Sequence, residues 1–170
     1  MILVSACLLG HKVKYNGGSN KNDLLLKYNE RGHFLAVCPE CFSMLPVPRT
    51  PMEIQGGTGK KLLAGRAKAQ DKNGMDTTQY LLTGAEKVLK IAKAYNAKFA
   101  ILKESSPSCG VKKIHSGHFD GKKIKGQGVT TALLVKNGIE VFSEKEITIG
   151  RLEELMAADI KNSNFPHAKH

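Results

Sequence analysis

Three short apolar runs in this chain each lead into a cysteine, and that pairing constrains the fold more than any other feature. Met1-Ile2-Leu3-Val4-Ser5-Ala6 runs into Cys7, and Phe34-Leu35-Ala36-Val37 into Cys38. Phe99-Ala100-Ile101-Leu102 runs into Lys103-Glu104-Ser105-Ser106-Pro107-Ser108-Cys109. Short apolar runs bounded by turn formers read as buried strands. In an open α/β sheet, ligands bind outside the carboxyl ends of the strands. Cysteines far apart in sequence are therefore expected to meet in one crevice. Three converging thiolates suit a metal or iron–sulfur centre with one coordination position left open.

Helical patterns alternate with these strands. Residues 22–28 read as a helix with a capping residue at its start and Gly32 as its stop. Asp76-Thr77-Thr78 opens the clearest helix, with Leu81, Leu82, Ala85, Val88, Leu89 and Ala92 at helical spacing. Residues 114–124 read as a hairpin turning near Asp120-Gly121, residues 128–135 start a helix, 139–142 form a strand and 149–160 a last helix. The Pro-rich stretch 46–51 reads as extended and placed to line the crevice, and Leu62-Leu63 as the start of a short strand. The alternation predicts one α/β domain over residues 1–160, Rossmann-like, with three layers and a mostly parallel sheet. Residues 161–170 read as a loose tail.

Composition narrows the class. No run approaches the ~18 apolar residues of a membrane span, and the chain enters its first strand with no basic leader. A cytoplasmic protein is expected, and there a cysteine set reads as metal-binding or catalytic before it reads as disulfides. The net charge of +11 favours anionic partners such as nucleotides, phosphate or RNA. Gln55-Gly56-Gly57-Thr58-Gly59-Lys60-Lys61 fails the phosphate-loop spacing, because Ile54 and Lys61 stand where Gly and Ser or Thr belong; it reads as a flexible turn.

Cys38-Pro39-Glu40-Cys41 leaves other readings open. A C-x-x-C at a helix start suits a thiol-disulfide oxidoreductase, though this leaves Cys7 and Cys109 unexplained. All four cysteines could close a zinc site, but Cys7 and Cys109 each stand alone, without the paired spacing of such sites. Cysteines also occur simply as inert buried thiols. Glu40 places a carboxylate beside Cys38, the small residues of 105–110 bring N–H groups and hydroxyls to a sulfur or anion, and Arg49 and Glu53 read as an ion pair across Pro51. His11, His115, His118, His167 and His170 show no ligand spacing and read as structural or exposed.

Taken in order, Ser5-Ala6-Cys7-Leu8-Leu9-Gly10, Tyr15-Asn16-Gly17-Gly18, Cys38-Pro39-Glu40, Leu45-Pro46-Val47-Pro48-Arg49, Asp76 with Gly84-Ala85, Lys103 to Gly110, and Gly126-Gln127-Gly128-Val129-Thr130 resemble the thiouracil desulfidase family over about residues 1–145. The resemblance implies an enzyme holding a [4Fe-4S] cluster on Cys7, Cys38 and Cys109, with one iron free of protein ligands. Its reaction would be non-redox removal of sulfur from a thiolated pyrimidine (a thiouracil, thiouridine or thio-UMP), giving the oxo base and sulfide by C–S hydrolysis. Thiocarbonyl sulfur is soft, and an open iron suits it as a Lewis acid. Glu40 and Glu104 are the candidate acid–base carboxylates, with Ser106 and Ser108 as hydrogen-bond donors. Lys103, Arg49, Gly17 and Gly18 are the candidate substrate-binding residues. Expected partners are the small pyrimidine or nucleotide, with tRNA the largest. Position 41 departs from the family in carrying a cysteine, and Glu104 and Ser105 depart within the loop. Two other classes stay open: a non-catalytic iron–sulfur or zinc protein that binds RNA or a partner, and the C-x-x-C oxidoreductase.

Overall fold

Ile2, Leu3, Val4 and Ser5 are all buried, so helices must cover both faces of the strand they form. In the computed structural model, which describes residues 1–163, that strand is β1 (Ile2–Ser5). It lies inside a parallel four-stranded sheet with β2 (Phe34–Val37), β5 (Phe99–Leu102) and β8 (Glu140–Ser143), in the order β2-β1-β5-β8. Ser5 pairs with Val37 on one side and Val4 with Ile101 on the other. Alternate residues of each strand feed two cores. Ile2, Val4 and Ile101 pack against α1 (Asp23–Asn29) and α6 (Ile149–Ser163). Leu3, Ala100 and Leu102 pack against α4 (Thr78–Ala94) and α5 (Val129–Lys136). The result is the expected three-layer α/β domain.

Local signals explain most boundaries. Asn22 caps α1 by accepting the Leu25 N–H at 3.0 Å, and Gly32 adopts a left-handed φ of 74° after its end. Asp76 accepts the Thr78 N–H at the start of α4. The last helix continues to Ser163, three residues past the expected Ile160; His167 and His170 lie outside the described residues.

A third core holds what the sequence left indistinct. β3 (Met52–Gln55) and β4 (Lys68–Asp71) form an antiparallel ribbon, and β6 (Lys113–His115) pairs with β7 (Lys123–Lys125) as the expected hairpin. Leu62 and Leu63 belong to the short helix α3 (Gly59–Leu63), not to a strand; Leu62 is buried against Ile54, Ala69 and Val129. Of the expected turn, 55–61, only residues 56–58 lie between β3 and that helix. A Cβ on Gly59 would lie 2.4 Å from the Gly128 carbonyl carbon, so this glycine permits close approach of α3 to α5.

Candidate active site

In the sheet order, β1 and β5 are neighbours whose following connections run to opposite sides, so a crevice opens at their carboxyl ends. Cys7 sits there in the 3-10 turn Ala6–Leu9 directly after β1. Cys38 is the residue before α2 (Pro39–Phe42), directly after β2. Cys109 lies in the loop that follows β5. All three line one cavity of about 510 Å³, together with Glu40, Ser106 and Ser108. Cys41 is a free, half-buried thiol outside that wall.

The loop carrying Cys109 is held by backbone and side chains alike. The first N–H groups of α5, which lack intrahelical partners, donate to it: Val129 N–H to Pro107 O at 2.8 Å and Thr130 N–H to Ser108 O at 2.9 Å. Gly128 N–H donates to Gly110 O at 2.8 Å, and the Thr131 hydroxyl to Cys109 O at 2.9 Å. Ser106 Oγ accepts the Cys109 N–H at 2.7 Å, so this serine shapes the loop. Ser5 Oγ accepts the Lys103 N–H at 2.9 Å and ties the loop's start to β1.

Glu104 also belongs to this scaffold. Its Oε1 accepts the N–H groups of Val111 (2.8 Å), Lys112 (3.0 Å), Lys113 (3.1 Å) and Ser105 (3.2 Å). Burial opposes ionisation, but the four donors outweigh it and hold the carboxyl below the usual glutamate range. Glu104 thus braces the loop, and it also lines the cavity. Its folded pKa is depressed, so its stabilisation is complete above the unfolded value of about 4.3 and is lost as pH falls through the lower folded value. Glu104→Gln should therefore lower stability at neutral pH and flatten the acid limb of a stability–pH curve measured by urea unfolding. An unchanged acid limb would count against the brace.

Glu40 is the cavity carboxylate nearest Cys38 in sequence; Glu53 and Glu104 line the cavity as well. Glu40 Oε2 takes the Arg49 guanidinium at 2.6 Å (Nη2) and 2.7 Å (Nε), and its Oε1 accepts the Ser108 hydroxyl at 3.1 Å. The Arg49 side chain is 6% exposed and also donates to Val13 O and Pro46 O. The guanidinium thus has three protein partners, and Arg49 also lines the cavity. The expected Arg49–Glu53 pair does not form. Glu53 turns instead to the 116–121 loop, because β3 carries it away from Arg49 and toward the hairpin. Ser108, 1% exposed, orients Glu40. Lys103 pairs with Glu144 at 2.8 Å, and its charge acts on Cys7. Gly17 and Gly18 are not in the cavity wall; they close a turn in which Gly17 N–H donates to Lys14 O at 2.9 Å, presenting Tyr15 and Asn20 instead.

The thiols feel one another. Burial pushes Cys7 up, with the Asn20 side chain and Lys103 pulling the other way. Burial pushes Cys38 up to about 12, against the Cys41 backbone N–H. Cys109 is raised by burial first, offset by a hydrogen bond with Ser5, and raised further by Cys38 and Cys7. A bound metal reverses this logic by deprotonating its thiol ligands. Among the described residues no three His, Cys, Asp or Glu side chains are arranged to hold a single metal ion. Three cysteine thiols are the donor type that iron–sulfur clusters take. Hydrogen bonds from Asn20 and Ser5 to the sulfurs are of the kind that tune such clusters.

Asn20 and Glu144 were not singled out from the sequence. Glu144 follows β8, so the strand-end rule pointed to it, but no cysteine marked that fourth strand end. Asn20 lies in the long loop after Cys7, where its N–H donates to Cys7 O at 3.0 Å.

A cage of three strand-end thiols with a carboxylate in the same wall defines an enzyme site of the desulfidase type. The chain belongs to the 2-thiouracil desulfurase family, whose model matches residues 2–146. It is 46% identical over 147 residues to YbbK of Bacillus subtilis (strain 168), described as uncharacterized, covering 86% of this chain and 97% of that protein. Among solved structures it is similar to a [4Fe-4S]-dependent thiouracil desulfidase, TudS, with a TM-score of 0.78 and 42% identity over 92% of this chain and 95% of that one. Among the described residues no helix is long and apolar enough to cross a membrane.

Proposed function

We propose that this chain removes sulfur from a thiolated pyrimidine without net redox change and acts best on a nucleotide bearing a 5′-phosphate. The observation that carries the reading is the meeting of Cys7, Cys38 and Cys109 around one cavity with Glu40 in its wall. A [4Fe-4S] cluster on these cysteines, with one iron free of protein ligands, would supply a soft Lewis acid for thiocarbonyl sulfur. The balance is simple: water adds its oxygen to the ring carbon, the C–S bond breaks, and sulfide leaves with the protons. No electron is gained or lost. Glu40 takes the proton of the attacking water, Ser108 and Arg49 fix the angle of its carboxylate, and Lys103 sets a positive charge beside Cys7. A reducing, cytoplasmic setting would keep the thiols available.

The phosphate preference rests on the cavity's rim. Lys14, Lys72, Lys123 and Lys145 line it, and among the described residues none of them pairs with a carboxylate. The neighbouring acids face other partners: Glu40 faces Arg49, Glu144 faces Lys103, and Glu53 and Glu104 face backbone N–H groups. Turnover of thiouracil and of a thio-UMP at two salt concentrations tests the reading. The nucleotide should be favoured in kcat/KM by about tenfold at low salt, as expected for two or three partly exposed ion pairs, and the gap should narrow as salt screens them. Equal values at both salts would remove the phosphate preference. A fully cluster-loaded protein inactive on both would remove the desulfidase reading, and activity confined to thiolated tRNA would move the substrate to RNA.

A further inference from the structure

Part of the cavity wall is a loop held in a costly shape. Phe119 lies in the 116–121 segment between β6 and β7 with φ 52°, a left-handed conformation uncommon for a bulky side chain. Gly117, φ 95°, packs so tightly that a Cβ there would fall 2.5 Å from Ile54 O. Both residues hang from one carboxylate: Glu53 Oε1 accepts the Gly117 N–H at 2.8 Å and the Phe119 N–H at 3.3 Å. Glu53 is 7% exposed and has no cationic partner among the described residues. Gln55 adds a bond to Gly117 O, and Asp120 accepts from Ser116 Oγ and Lys122 N–H. The loop is thus fixed on all sides, yet the Phe119 side chain is half-buried and lines the cavity beside His115 and Lys123. Folding has not used this ring to fill a core. A buried carboxylate and a left-handed aromatic residue are retained together where a ligand would lie.

We propose that Phe119 is the platform on which the pyrimidine ring stacks, and that Glu53 is the positioning residue that sets the platform's angle. This inference rests on the desulfidase reading above. A pyrimidine whose sulfur is directed at the cysteines presents its π-face to a side wall, and an aromatic ring there is what recognises any base without reading its edges. Lys123, four residues on in the same hairpin, then stands where a 5′-phosphate leaves the ring. Tyr15 is the other aromatic side chain in the wall, but it is 45% exposed and no buried carboxylate fixes its backbone.

The chain contains no tryptophan, so Phe119→Trp in the cluster-loaded protein introduces a single indole reporter at the platform. Titration with a thio-UMP and with UMP should quench its emission saturably. Phe119→Ala should raise KM by about fivefold to a hundredfold, the range that loss of one base–aromatic stack covers, with kcat changed less than about twofold. Glu53→Ala should raise KM in the same way, and Glu53→Gln, which keeps an acceptor oxygen for both N–H groups, should restore most of it. A structural role alone would lower thermal stability without this split between KM and kcat. If Phe119→Ala does not fold, the tryptophan variant decides. An unchanged KM in Phe119→Ala, or no saturable quenching by either nucleotide, overturns the platform while wild-type turnover leaves the desulfidase reading in place. A wild-type protein inactive on every thiolated pyrimidine removes that reading, yet quenching by UMP would still support the platform as a uracil-nucleotide site.

Discussion

Replacing Cys7, Cys38 or Cys109 singly with serine is expected to abolish cluster assembly. Cys41→Ser should leave it intact. Anaerobic purification with iron, sulfide and zinc assays reads the result directly. The wild-type chain and Cys41→Ser should carry roughly four iron and four sulfide with broad absorption in the visible, and the other three variants close to none. The expectation follows from placement. Three thiols from three strand ends line the cavity, and Cys41, although next to Cys38 through the turn of α2, does not. A cluster in all three variants would refute the cage. One zinc and no sulfide in the wild type would restore the structural zinc reading, and loss of the cluster in Cys41→Ser would make position 41 a ligand.

Glu40→Gln should lower kcat by about 10²- to 10⁴-fold, the usual contribution of a positioned acid–base group, with iron and sulfide content unchanged. Glutamine keeps an oxygen for Arg49 and a similar shape, so the variant removes charge and basicity more than architecture. It does leave the guanidinium, 6% exposed, without its counter-ion. Breaking a buried pair costs about 3–5 kcal/mol in the worst case, so a melting curve belongs beside the kinetics. A variant that stays folded and loaded and turns over at the wild-type rate would exclude Glu40 from proton transfer.

The central architecture was legible because its signals are local and strong. Residues 34–37 are apolar, bounded by His33 and Cys38, and form β2 over that span. Asp76 and the 3.6-residue spacing of Leu81, Ala85 and Val88 define α4. The gathering of Cys7, Cys38 and Cys109 at one cavity followed from one topological rule applied to strand ends. What failed had no local signature. Met52–Gln55 is a strand between Pro51 and two glycines, too short for periodicity to declare it, and Leu62-Leu63 as an apolar pair fits strand or helix equally. Arg49 was paired with Glu53, four residues away, although its partner Glu40 is nine away. The choice depends on the path of the chain through residues 41–48, not on spacing. Phe119 carried no signal, because its conformation is imposed by Glu53 from another ribbon.

The stitching of the Cys109 loop to the first turn of α5 has a consequence for how such a protein matures. Those hydrogen bonds join main chain to main chain, apart from the one the Thr131 hydroxyl donates to Cys109 O, and none involves sulfur; the helix they begin buries Val129 and Leu134 in two of the cores. The position of Cys109 is therefore set by the polypeptide itself. A cluster held as proposed would find that corner already shaped by loop and helix, unlike the ligands of small zinc domains, which gather only when metal arrives.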